Sequence, residues 1–271
     1  MVVAQGSYIE HVEIFSIAAP RLFIHGHKGS FVGVSGNDGP SFLLSVPTTL
    51  RDLTASNSSG PVFSLGAGVV LERVIIDSSG TAIETGPMTV LRDVVVSSAT
   101  DAISIGGGSS LTFERGVVRN AQRGIVVVNT GTFEVSNVVL HSIENLALDL
   151  ELGTGTVSFT TVTDSGQPTG SGPKAIKCGI AGTIRSSIVW VPGGTRPAVA
   201  GCNVASSIVG PTALSGVPSS DPKFVSPATG DYHLMAGSPA RDVVQAGPAL
   251  DFEGDARPIG AGFDLGADEA P

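Results

Sequence analysis

The sequence predicts an all-β fold: a right-handed, single-stranded parallel β-helix of about ten coils of about 22 residues, with an irregular C-terminal tail packed on its outside. Three observations predict it. Only 14% of the 271 residues are charged, while Gly numbers 36 and Pro 17. An apolar anchor, two polar or small residues and a β-branched run recur at a near-constant interval. The charges beside the anchors alternate in sign from one repeat to the next.

The composition suits many short strands joined by tight turns. The net charge of −9 rests on only 15 basic residues, and no Lys/Arg run occurs. Nucleic acid is therefore excluded as an expected partner. No stretch of about 18 apolar residues is present, so no membrane span is expected. Met1 runs directly into "VVAQGSYIEHVEI", with neither a charged n-region nor an apolar h-region. The start is then either cytosolic or cut away, and the second is the expectation, with an extracellular or cell-surface address.

The anchors are Leu50, Leu71, Leu91, Phe113, Val135, Val157, Ile184 and Val204, at intervals of 21, 20, 22, 22, 22, 27 and 20. Each repeat has a second strand: "TAIE" at 81–84, "DAISI" at 101–105, "GIVVV" at 124–128, "LALDL" at 146–150, "AIKC" at 175–178 and "AVAG" at 198–201. Leucine-rich repeats share the period but not this frame. Parallel crossovers are right-handed by default.

Stacked coils lie about 4.8 Å apart, so equivalent residues touch. The position after the anchor reads Arg51, Glu72, Arg92, Glu114, and the next reads Asp52, Arg73, Asp93, Arg115, then Asn137. Two ladders in opposite phase avoid like-charge contacts and hold register at a corner. Exposed pairs of this kind contribute roughly 0–1 kcal/mol each.

Four residues after each anchor comes an outward apolar column: Ile75, Val95, Val117, Val139, Thr161, Ile188 and Ile208. Such a stripe calls for a cover. The chain's own C-terminal segment is the first candidate and a partner surface the second. The neighbouring column of Ser97, Arg119, His141 and Trp190 shows no coherent chemistry. Coils are expected over 1–215, with 216–271 packing on them rather than forming an independent domain. The longest interval holds "DSGQPTGSGPK" at 164–174, an outward loop.

The last fifty residues carry Asp221-Pro222-Lys223-Phe224-Val225, Asp231-Tyr232-His233-Leu234 and Gly237-Ser238-Pro239-Ala240-Arg241-Asp242. These are followed by Asp251-Phe252-Glu253-Gly254-Asp255-Ala256-Arg257-Pro258 and Asp264-Leu265-Gly266-Ala267-Asp268-Glu269. This pattern resembles the C-terminal segment of bacterial surface β-helix proteins of the choice-of-anchor Q type. "GSYIEHVEI" is similar to the first coil of pectate-lyase-like helices. The resemblance implies a right-handed helix, an extracytoplasmic address and often a larger parent protein. It implies no firm activity.

Candidate chemistry is sparse. Cys178 and Cys202 stand about one coil apart, which fits a disulfide between neighbouring coils in an oxidising compartment; two buried thiols are the alternative. Asp251, Glu253 and Asp255 supply hard oxygens at a spacing that suits Ca²⁺, but they lack the EF-hand glycine position. A structural knot of Arg257 with Asp264 or Asp251 competes with calcium. His25 and His27 share one strand face, with His11 nearby, a weak metal pattern. Ser238-Pro239 reads as an N-cap and first turn.

Lyases of similar architecture use clustered carboxylates with a Lys or Arg base. The outward positions of the second strand are expected near Glu84, Ser104, Val126, Ala147 and Lys177, which bring no such set together. No catalytic residue and no resident cofactor is assigned. The expected role is a structural or carbohydrate-recognition module. Alternatives are a polysaccharide lyase or glycoside hydrolase, and a protein–protein or self-association module.

Overall fold

The computed structural model describes all residues except 1, 5, 6, 9, 10, 16–20, 35–38, 167–171 and 194, with the backbone alone for 2, 3, 7, 8 and 27–34. Parallel strands stack as a β-solenoid. One sheet runs from Val2–Val3 through Val70–Ser78, Thr89–Ser97, Ser110–Ala121 and Gly131–Ile143 to Asn203–Ala205. The other stacks nine strands, from Val12–Ile14 to Val199–Ala200. Nine stacked strands define about eight turns, fewer than the expected ten. The interval of 27 takes up chain in an outward loop without adding a coil.

Each long strand of the first sheet bends in the middle. Asp52, Arg73, Asp93, Arg115, Asn137, Phe159, Ser186 and Ser206 all have positive φ, between 45° and 59°. They follow their anchors by two, so the second charge ladder runs along this corner. From Gly153–Ser158 onward the bend separates two shorter strands, such as Gly182–Arg185 and Ile188–Trp190. A second left-handed column, Ser98, Asn120, Ser142 and Asp164, turns the chain toward the other sheet.

The anchors close the core: Leu50, Leu71, Leu91, Phe113 and Val135 are each fully buried. Across the corner, Val74 and Val94 point inward, but the next coil has Gly116 there. A Cβ on Gly116 would lie 2.2 Å from the Val94 carbonyl and 2.7 Å from the Phe113 ring. The larger Phe113 thus takes the space that valine fills one coil earlier.

Beyond Ile208–Gly210, Leu214 and Val217 close the end of this core, and the Val209 amide donates to Pro218 O. The chain then folds back. An antiparallel hairpin, Phe224–Ser226 with Asp231–Leu234, leads into an irregular tail. Phe224, Tyr232, Leu234, Ala240, Leu265 and Ala267 pack on Val139, Ile188 and Ile208 of the outward column. Val139 is 3% exposed under this cover, against 50% for Ile75 beyond its reach. Among the described residues no helix is long and apolar enough to cross a membrane.

Candidate functional site

The charge ladders stack in register, with Arg92 opposite both Glu72 and Glu114. Their bonding is pairwise rather than continuous. Arg73 holds Asp52 with two hydrogen bonds of 2.6 and 3.0 Å, Arg115 holds Asp93 with 2.7 and 3.0 Å, and Arg92 holds Glu114 at 2.7 Å. Glu72 turns to Arg73 within its own coil, and Arg51 lies 4.0 Å from Asp52. The bond from Arg73 is the main reason that Asp52 titrates below the ordinary carboxylate range. His25 Nδ1 sits 2.8 Å from an Asp52 carboxylate oxygen, on the N-terminal side of the ladder. The His27 side chain lies outside the described residues.

Cys178 and Cys202 form a disulfide. The Asp251, Glu253 and Asp255 carboxylates do not converge on a cation. Asp251 is 1% exposed, and one of its oxygens accepts the amides of Glu253, Gly254 and Asp255, each at 2.9 Å. Its other oxygen accepts the Glu269 amide, and the Glu253 carboxylate turns to His233 Nε2 at 2.8 Å. The alternation around Gly254 is the signature of an aspartate closing a tight turn. Among the described residues, no group of three or more His, Cys, Asp or Glu is arranged to hold a metal ion.

Arg257 makes a different knot from either pairing the sequence suggested. Its guanidinium donates to Glu269 Oε2 at 2.8 Å, with both side chains wholly buried. It also donates to Asn137 Oδ1 at 2.9 Å and to the Asp264 carbonyl at 2.8 Å, and lies 4.8 Å from the Phe159 ring centroid. The Asp264 carboxylate instead accepts the amides of Asp242 and Ala270. Asn137 and Phe159 are the rungs that follow Arg115 on the corner. The tail therefore supplies the next cation of the ladder, and Asn137 serves it with an acceptor while donating to Leu250 O.

A cleft of about 550 Å³ opens where the fold-back meets the late coils. Thr163, Asp164, Trp190 and Pro192 line it from the solenoid, and Asp221, Lys223, Phe224 and Met235 from the tail. Thr163 and Trp190 are register partners, one coil apart in the column that looked incoherent in the sequence. Trp190 is half-buried because Gly210, its own partner in the next coil, has no side chain. A Cβ there would lie 2.3 Å from the indole.

His141, one coil before Thr163, tilts against Tyr232 with ring centroids 5.1 Å apart. Burial, and then Arg119, lower the His141 pKa, so the ring is neutral at pH 7. Burial pushes the Tyr232 phenol up to about 12. Ser142 donates to Asp164 Oδ2 at 3.2 Å, and Asp164 itself lines the cleft.

Sequence reasoning missed Asp164, Asp221 and Lys223 as one constellation, because the fold-back brings them together across more than fifty residues. The only tryptophan of the chain, placed on an outward column, was the available signal. On the second sheet, Asp149 rather than Ala147 stands beside Lys177, whose ammonium pairs with Glu151. Comparisons of the chain with protein-family models, with curated proteins and with solved structures give no match.

Proposed function

We propose that this chain is a non-catalytic, extracytoplasmic β-solenoid module that recognises a carbohydrate in the cleft between its late coils and its folded-back tail. The observation that carries the reading is the half-buried Trp190 in a cleft rimmed by hydrogen-bonding groups from Thr163, Asp164, Asp221 and Lys223. An indole face takes the apolar side of a sugar ring, and a few polar groups fix its orientation. The disulfide supports an oxidising compartment. The tail motifs, which resemble those of choice-of-anchor Q proteins on pectate-lyase-like helices, support a cell-surface setting. The net charge of −9 and the two cleft carboxylates favour neutral over polyanionic glycans.

The test uses the sole tryptophan as its own probe. Titration with neutral and acidic oligosaccharides should perturb Trp190 emission for a neutral chain, and Trp190→Ala should abolish binding measured by calorimetry. Full affinity retained in Trp190→Ala would sink the reading. One observation favours a second reading: Asp164 and Asp221 share the cleft, and glycoside hydrolysis uses a carboxylate pair. That enzyme would release new reducing ends from the bound glycan and lose turnover, with binding retained, in Asp164→Asn and Asp221→Asn. The module reading expects no such products.

A further inference from the structure

The wall of the cleft that carries Trp190 is held by a side chain outside it. Lys174 is 3% exposed, and its ammonium donates to three successive backbone carbonyls, Val191 O at 3.2 Å, Pro192 O at 2.7 Å and Gly193 O. These residues directly follow Trp190, and Pro192 itself lines the cleft. Gly193 has φ 84°, a left-handed turn open to glycine, and a Cβ on it would lie 3.9 Å from the ammonium. The Lys174 amide is tied to Pro197 O at 2.9 Å, while Arg196 reaches back to Gly172 O and Pro173 O. Two neighbouring loops are thus stitched together around one buried positive charge.

A buried ammonium is costly unless its donors are satisfied. Here the three N–H donors match the three carbonyls. Burial, with the nearby Arg196 adding to it, lowers the Lys174 pKa. Convergent backbone carbonyls are also what a poorly hydrated monovalent cation coordinates.

We propose that Lys174 is the positioning residue of the cleft: its ammonium occupies a carbonyl nest suited to a monovalent cation and thereby fixes the Trp190–Pro192 wall. This does not depend on which ligand the cleft takes, because Trp190 reports on the wall directly.

The test compares wild type, Lys174→Ala and Lys174→Met as full chains in sodium-free, potassium-free buffer. In both variants acrylamide quenching of Trp190 should rise about twofold while far-UV circular dichroism stays native. Potassium or methylammonium should restore wild-type quenching to Lys174→Ala, in which the nest is empty, and tetramethylammonium should not. Lys174→Met keeps the stem that packs between the loops and removes only the charge, so its rise in quenching separates the ammonium from the packing. Wild-type quenching in Lys174→Met would overturn the proposal. So would a disturbance of Lys174→Ala that no small cation reverses, or loss of the whole fold in Lys174→Met.

Discussion

At the scale of single residues, the corner of the solenoid sets the terms. A non-glycine residue in the left-handed region costs roughly 1–2 kcal/mol, and this chain places eight of them one above another. Asp and Asn accept the conformation with local hydrogen bonds, but arginine has no such help. Arg73 and Arg115 meet the cost with two-pronged bonds to the aspartate one coil before. Where the tail docks, Asn137 replaces the expected acid because that rung must both donate, to Leu250 O, and accept, from Arg257. The sharpest consequence falls on Arg257. Arg257→Met leaves the Glu269 carboxylate buried without its cation, a change that costs about 3–5 kcal/mol. Urea unfolding should move by that amount, and Arg257→Met with Glu269→Gln should recover part of it. A loss under about 1 kcal/mol would mean that the knot relaxes into water.

At the scale of elements, the tail is a separable layer whose attachment responds to pH. His233 bridges Glu253 Oε2 at 2.8 Å and Asp231 Oδ1 at 2.6 Å, with Asp268 at 3.9 Å. The bond to Glu253 is the main cause that raises its pKa to about 9. A raised histidine pKa stabilises the docked tail fully below the ordinary value near 6.5, and that contribution is lost as pH rises through about 9. Burial raises Asp268 to about 6, so its docked form favours the proton and docking weakens as pH rises through 6. Asp231, lowered chiefly by His233, opposes this only where pH falls below the ordinary carboxylate range.

The attachment should therefore loosen between pH 5 and pH 9. The unfolding temperature should fall by roughly 2–4 °C across that range, a small figure because the histidine is partly exposed. His233→Asn should flatten the upper arm from pH 7 to 9, and an unchanged slope in that variant would refute the assignment. Much of this layer was readable beforehand. The apolar column from Val139 to Ile208 called for a cover, and the tail carried turn residues and few strands. The cleft was not readable, because Trp190 belongs to a repeat while Asp221 and Lys223 belong to a segment without one. Only the fold-back sets them side by side. The aspartate at 251 was legible as important but not in kind, since alternating acids around glycine serve a cation and a tight turn equally well.

At the scale of the whole molecule, a solenoid has no single centre. Each coil contacts its neighbours, and stability is close to a sum of coil and interface contributions. Those contributions are uneven here. The late coils are clamped by the tail, by Arg257 on Asn137, by the Ala267 amide on Thr161 Oγ1 and by the Gly266 amide on Ser186 O. The disulfide closes a 24-residue separation between two of them, a constraint worth about 3 kcal/mol in the chain-entropy account. Among the described residues the early coils carry no such layer: Ile75 is 50% exposed, and the register between Leu22–Val34 and Thr48–Asn57 shifts between His25 and Ser30. Opening should therefore begin at the N-terminal end and travel toward the clamp. Native-state hydrogen exchange should give the lowest opening free energies for amides in Leu22–Val34, intermediate ones in Val70–Ser78, and the highest in Gly131–Ile143 and Thr161–Ser165. Reducing the disulfide should lower the values after residue 175 while leaving those before 100 unchanged, because coils that do not touch are not coupled. One opening free energy shared by every strand would show instead that the solenoid unfolds as a unit and that the clamp is felt along its whole length.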